Sequence, residues 1–335
     1  MRKVVRAAAT VAVVAAAGMS AACGQIGALK GKMAFKEANA LYSTQKYEAA
    51  AEKYAEALEQ GCSGDDCTPP ELAFAYFYLG SSHENLYRPN MKDDAANEEH
   101  LKKAVEYYTK ASEVSPDPTY KKRSLQYLVG VYGPDKLGDP SGAEPIIQRL
   151  IAMDPNDATN YYQMAKLYED SGDFEKAEEQ LLKARSVRPD DPDVYLQLSG
   201  YYDKRGDFDK QIEALTTRAE KAPDSPEAFY TIANVYWNKA CLPTRPQCEQ
   251  GAPSSQAVKA KYIESGLEAA DRALKLRPDY IDALVFKNLL LRSQAYVVPA
   301  RRDQLINEAD QLLQKVTEIR KRQSGEAATQ KKAEE

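Results

Sequence analysis

Two consecutive stretches decide the fold: ATNYYQMAKLYEDSGDFEKAEEQLLKARSVRPDD at 158–191 and PDVYLQLSGYYDKRGDFDKQIEALTTRAEKAPDS at 192–225. They align end to end without a gap. Tyr161 falls on Tyr195, Tyr168 on Tyr202, Gly172-Asp173-Phe174 on Gly206-Asp207-Phe208, and Pro189 on Pro223. Self-similarity at such a period signals stacked supersecondary units, none of which buries its apolar face alone. Within the first copy, large residues (Tyr161, Met164, Tyr168, Leu181) alternate with small ones (Ala165, Ala177, Ala184). That pattern suits two antiparallel helices whose backbones approach at the small residues while the large ones fill the space between. Gly172 and Gly206 supply a left-handed cap for the first helix, and Pro189 and Pro223 stop the second.

The residues at these spacings resemble the tetratricopeptide repeat. The first copy carries Tyr161, Met164, Ala165, Tyr168, Ala177, Leu181, Ala184 and Pro189 where that family keeps its packing residues. The second departs at Gln211 and Arg218, which predicts a looser or shifted second helix there. Further copies read Ala38, Leu41, Tyr47, Ala50, Tyr54 and Ala57; then Tyr76, Leu79 and Gly80 resuming at Ala104, Tyr108 and Ala111 after an insertion near 88–96; then Leu125, Leu128, Tyr132, Ala143 and Leu150. A sixth reads Phe229, Ile232, Ala233 and Tyr236, broken by a Pro- and Cys-bearing insertion before Ala270 and Ala273. The seventh and weakest uses Ala283, Phe286, Leu290, Ala309, Leu313 and Val316. The resemblance therefore implies an all-α, right-handed superhelical solenoid of about seven helix-turn-helix repeats. It assigns residues 31–323 to the solenoid, 23–30 to a tether and 324–335 to a disordered tail lacking apolar residues larger than Ala.

The N-terminus reads as an export signal over residues 1–22. Arg2, Lys3 and Arg6 precede an apolar run at 7–19, and Ser20-Ala21-Ala22 precede Cys23. The run is too short to span a bilayer as a helix, for which about 20 residues are needed. Small residues before Cys23 resemble a lipoprotein processing site, in which the Cys thiol takes a diacylglycerol. Ser20 stands where Leu is usual, and an ordinary signal peptidase would cut at the same bond. The expectation is a chain lipid-anchored at the bacterial envelope, at the outer membrane facing the periplasm because Gly24 rather than Asp follows the cysteine. The alternative is a plain periplasmic protein.

Without the three signal cations, 42 Lys+Arg face 50 Asp+Glu, a net charge of −8. Nucleic-acid binding needs a basic stripe, so no nucleic acid is expected as partner. The remaining cysteines form two local pairs, Cys62 with Cys67 and Cys241 with Cys248, read as disulfides in an oxidising compartment. No metal-ligand spacing, phosphate loop or catalytic constellation is legible, so neither catalytic residues nor a cofactor are expected. His83 stands where the repeat prefers Tyr and reads as a core or boundary residue; His100 reads as solvent-facing.

The resemblance further implies a concave groove lined by the first helix of each repeat. Its positions hold Phe77, Tyr78, Tyr127, Tyr162, Gln163, Gln197, Tyr230, Asn234, Trp237 and Asn238. Aromatic platforms and side-chain amides suit a protein or extended peptide partner. The function expected is a non-catalytic interaction scaffold. A self-associating structural spacer and a glycan-binding accessory protein are the alternatives, and simple packing between repeats is the competing explanation for the aromatics.

Overall fold

Aspartates punctuate the chain at intervals, and in the structure they become helix starts. Asp94, Asp117, Asp139, Asp157, Asp191 and Asp207 each stand just ahead of a helix and accept from a backbone N–H of its first turn. Those N–H groups have no partner within the helix, so each cap is worth about 1 kcal/mol. Pro118, Pro140 and Pro192 follow three of these caps, in a first turn where a missing N–H costs nothing.

The computed structural model describes residues 26–63, 66–67, 69–240 and 255–334, with 325–334 as backbone only. The signal segment, Cys23 and the Cys241–Cys248 insertion lie outside the described residues. Fourteen helices follow one another among those described: α1 (26–43), α2 (Tyr47–Gly61), α3 (Phe74–Leu86), α4 (Ala95–Val114), α5 (Pro118–Val131), α6 (Pro140–Met153) and α7 (Ala158–Asp170). Then come α8 (Phe174–Val187), α9 (Pro192–Lys204), α10 (Phe208–Lys221), α11 (Pro226–Ala240), α12 (Gln256–Leu276), α13 (Ile281–Val297) and α14 (Arg302–Glu334). They form the seven tandem pairs expected. Between α2 and α3 lies a two-stranded hairpin, β1 (Cys62–Ser63) and β2 (Asp66–Cys67).

Turns inside the pairs are alike. Gly172 and Gly206 adopt φ of 78° and 70°, and the next amides reach back, Asp173 to Tyr168 O at 2.8 Å and Asp207 to Tyr202 O at 3.0 Å. In the first pair Gln45 takes this place at φ 60°, and Lys46 N–H bonds Leu41 O at 3.0 Å. A side chain in that region is strained, so the first turn is held at some cost.

The described residues divide into two compact units after Gln180, within α8. In the first, Tyr54 and Tyr108 are wholly buried among Ala50, Ala104 and Ala111, and Leu125, Leu128 and Leu150 complete the core. A Cβ on Gly80 would fall 2.8 Å from the Tyr108 ring, so the smallest residue is required where α3 meets α4. In the second, Leu215, Phe229, Ile232, Ile263, Ala270 and Leu290 form the core joining α10 to α13.

Three expectations need correction. Gln211 and Arg218 do not loosen α10, which runs unbroken, although its last packing position shifts from Arg218 to Ala219. Gln211 is buried but donates to Asp203 at 2.9 Å, while Ala214, Leu215 and Ala219 carry the packing. Residues 26–30, read as tether, already belong to α1. The tail read as disordered continues α14 to Glu334, consistent with its Ala, Glu, Lys and Gln content, all good helix formers.

The insertion at 88–96 is organised by one side chain. Asn97 is 6% exposed; its carbonyl accepts from Arg88 N–H at 2.8 Å, and its amide donates to Arg88 O and Met91 O at 3.0 Å each. Its own N–H is capped by Asp94. Each polar group of the buried residue therefore has a partner, as burial requires.

Candidate functional site

The faces read as groove walls differ between the two units. In the first, rings of α1, α2, α3 and α5 pack on one another. Tyr78 stacks on Tyr54 at 5.4 Å, meets Tyr42 edge-on at 5.4 Å, and shares a hydroxyl hydrogen bond of 3.0 Å with Tyr120. Burial, and then that bond, push the Tyr78 phenol up to about 12. Phe74 stacks on Tyr120 at 4.4 Å. Phe77 touches Tyr108, Tyr120 and Tyr127 and is only 5% exposed. Phe77 is therefore a packing residue, not a groove residue. Large rings on adjacent helices close the space that a smaller side chain would leave open.

Tyr127 keeps an open face. Its ring rests edge-on against Phe77 at 5.3 Å and tilted against Tyr108 at 5.4 Å, yet it is 42% exposed. The neighbouring Gln126 is exposed too. On α7, Tyr162 and Gln163 are half-buried, and the Gln163 side-chain carbonyl has no hydrogen-bond partner among the described residues.

In the second unit, Gln197 on α9 is exposed. Trp237 is half-buried and meets Phe286 of α13 edge-on at 5.3 Å; Tyr230 contacts Phe286 at 5.4 Å and Tyr280 at 5.5 Å. Asn238 donates to Asn234 at 2.8 Å, so these two amides satisfy each other in part. The α11 residues thus divide their surface between packing on α13 and solvent.

Phe35 and Tyr42 on α1, with Tyr120 on α5, belong to the first aromatic cluster but were not singled out from sequence. Tyr120 precedes the repeat register read from Leu125, because α5 starts earlier, at Pro118. Only the three-dimensional arrangement brings it against Phe74 and Tyr78.

His100 is not free in solvent. Its Nδ1 lies 3.1 Å from His83 Nδ1, and the His83 ring stacks on Tyr107 at 5.7 Å. Burial, with Lys103 and His100 beside it, lowers His83 to about 4. Beneath the same helix end, Tyr108 donates to Glu84 at 2.6 Å, and Lys136 pairs with the other Glu84 oxygen. No group of three or more His, Cys, Asp or Glu suited to a metal ion occurs among the described residues. Cys62 and Cys67 are joined across the hairpin, their Cα atoms 3.9 Å apart. An open cleft of about 640 Å³ lies beside the start of α2, lined by Lys46, Tyr47, Glu48, Glu52, Asn85 and Arg88. Its charges are of both signs and nothing in it selects a ligand. No helix among the described residues is long and apolar enough to cross a membrane.

Family models described as Tetratricopeptide repeat match residues 35–118 and 136–198. Among solved structures, the chain is similar to the C-terminal part of a TPR repeat-containing protein from Cytophaga hutchinsonii. The two are 18% identical with a TM-score of 0.53, over 85% of this chain and 95% of that one. A tetratricopeptide repeat protein from Parabacteroides merdae is 12% identical with a TM-score of 0.44, over 86% of this chain and 99% of that one. MamA from Desulfovibrio magneticus gives 18% identity and a TM-score of 0.40, over 61% and 97%. A search of curated proteins found no match. The matched segments, the seven helix pairs and the shared fold agree, and the chain carries tetratricopeptide repeats over residues 35–118 and 136–198 within an all-α array of the same kind.

Proposed function

We propose that this chain is a non-catalytic adaptor of the bacterial envelope, lipid-anchored through Cys23 and binding protein or extended peptide partners on the first-helix faces of its repeats. Tetratricopeptide repeats serve protein interaction generally; the anchor, the location and the binding residues are our reading. The observation that carries it is Tyr127, whose ring is held on Phe77 and Tyr108 yet is 42% exposed. A ring already fixed by packing offers contact area with little conformational entropy left to lose, which is the character of an interface anchor.

Trp237 is the second candidate, with part of its ring committed to Phe286. The closed ring cluster across α1 and α3 favours a spacer role for that part of the first unit. Affinity capture from cross-linked membranes, run with melting curves, separates binding from packing. Tyr127→Ala should lose partners while keeping the melting temperature within a few degrees. Trp237→Ala should lose partners and also lower the melting temperature. Capture by both variants at the wild-type level would overturn the reading.

A further inference from the structure

The two faces of α1 are built for different surroundings. Its inner face is conventional: Ala34 and Ala38 are buried, and a Cβ on Gly31 would fall 3.0 Å from the Ala57 carbonyl of α2. On the far side stand Ile26, Leu29 and Met33, exposed by 56%, 61% and 65%. They are the three most exposed large apolar side chains among the described residues. Spacings of three and four residues place them on one stripe about 10 Å long. Helical periodicity sets Lys30 along one edge of that stripe and Lys32 and Lys36 along the other, all exposed. The acid nearest the stripe, Glu37, is already engaged by Lys53 at 3.2 Å.

Terminal helices of repeat arrays normally turn a polar face outward. The other end of this chain does so: α14 exposes Gln311, Gln314, Lys315 and Glu318, and Leu313 is its one exposed large apolar residue among the described side chains. The apolar stripe on α1 departs from that rule.

We infer that the stripe docks into the interfacial region of an anionic lipid bilayer, with Lys30, Lys32 and Lys36 at headgroup level. An apolar stripe edged by lysines is the composition that such helices use. The reach of the chain supports the same occupant, and here the inference rests on the anchoring read at Cys23. Ile26 lies three steps along the chain from Cys23, a distance of at most about 10 Å at full extension. An acyl group on Cys23 therefore holds the start of α1 at the membrane surface, where its exposed stripe meets lipid. Docking would give the first unit a set orientation on the membrane.

The test uses the full processed chain in vesicles of three parts phosphatidylethanolamine to one part phosphatidylglycerol. An environment-sensitive fluorophore is placed at Leu29→Cys or, as control, at Glu52→Cys on the outer face of α2. At position 29 the label should shift to the blue on vesicle addition and be quenched by spin-labelled lipid several-fold more than at position 52. Exchanging Lys30, Lys32 and Lys36 for Gln should reduce that difference. A position-29 label that stays in water on the vesicles overturns docking. So does a blue shift already present without vesicles, which would assign the stripe to another part of the chain or a second copy. Intact mass of the same preparation reads acylation of Cys23 separately. An acylated chain with a water-exposed label leaves anchoring standing and removes docking. A non-acylated chain removes anchoring, and the label then decides docking alone.

Discussion

Phe77-Tyr78 in α3 and Leu196-Gln197 in α9 occupy matching places in their repeats, and their surroundings are opposite. Phe77 is 5% exposed and Tyr78 is held by Tyr42, Tyr54 and Tyr120, whereas Leu196 is 36% exposed and Gln197 lies open. Both helices share one backbone plan, so the plan does not determine whether a first-helix face is a wall or a platform. Ring size and the presence of further rings on adjacent helices determine it. The repeat specifies the scaffold, and the side chains at its free positions assign each face to packing or to recognition.

Truncating the two tyrosine-level positions tests this most directly. Tyr78→Ala removes a ring packed on three helices and should cost about 3 kcal/mol through the cavity left behind. Gln197→Ala, at the matching place, should cost less than about 0.5 kcal/mol. Urea unfolding followed by helical circular dichroism measures both, and equal costs would dissolve the distinction between the faces.

A second matched place holds His83 in α3 and Tyr168 and Tyr202 in the regular repeats. Tyr168 sits under Lys176 at 5.3 Å and donates to Glu144 at 2.8 Å, contacts that need no titration near neutral pH. His83 is buried neutral against His100, with Lys103 and Tyr107 beside it. Its pKa is lowered on folding, from 6.5 to about 4, so the unfolded chain binds the proton more readily. Its contribution is complete above pH 6.5 and is lost progressively as pH falls towards 4. The loss should be roughly 2–3 kcal/mol. His83→Tyr should remove most of this acid sensitivity, and an unchanged stability–pH profile in that variant would refute the assignment.

The smallest effect belongs to the turns. Gln45 holds at φ 60° the place that Gly172 and Gly206 hold at 78° and 70°. Gln45→Gly should raise stability by about 0.5–1 kcal/mol, since relief of left-handed strain exceeds the added entropy of the unfolded chain. A lower melting temperature would show that the first turn draws on the Gln45 side chain.

Legibility followed the range of the interactions. The helix pairs and the turn glycines depend on residues within one period of one another, and they are legible in the sequence from the 158–225 alignment outward; the capping aspartates are equally local but become recognisable only once the helix starts are seen. Sequence places Phe77 in the groove and misses its burial, because that burial depends on Tyr108, Tyr120 and Tyr127 on the two following helices. His100 was misread because its partner lies across the α3–α4 pair. The α1 stripe begins inside residues 26–30, which carry no repeat signature and read as tether, although Ile26, Leu29 and Met33 have helical spacing.

By itself, then, the amino-acid order determined the all-α repeat, its phase and its turn positions, because periodic small and large residues admit one way of pairing helices. The tertiary structure alone decided which aromatics close on each other, which one stays open at Tyr127, and that α1 carries an uncovered apolar face. Those outcomes depend on side chains distant in sequence competing for the same space, and no local pattern records who wins.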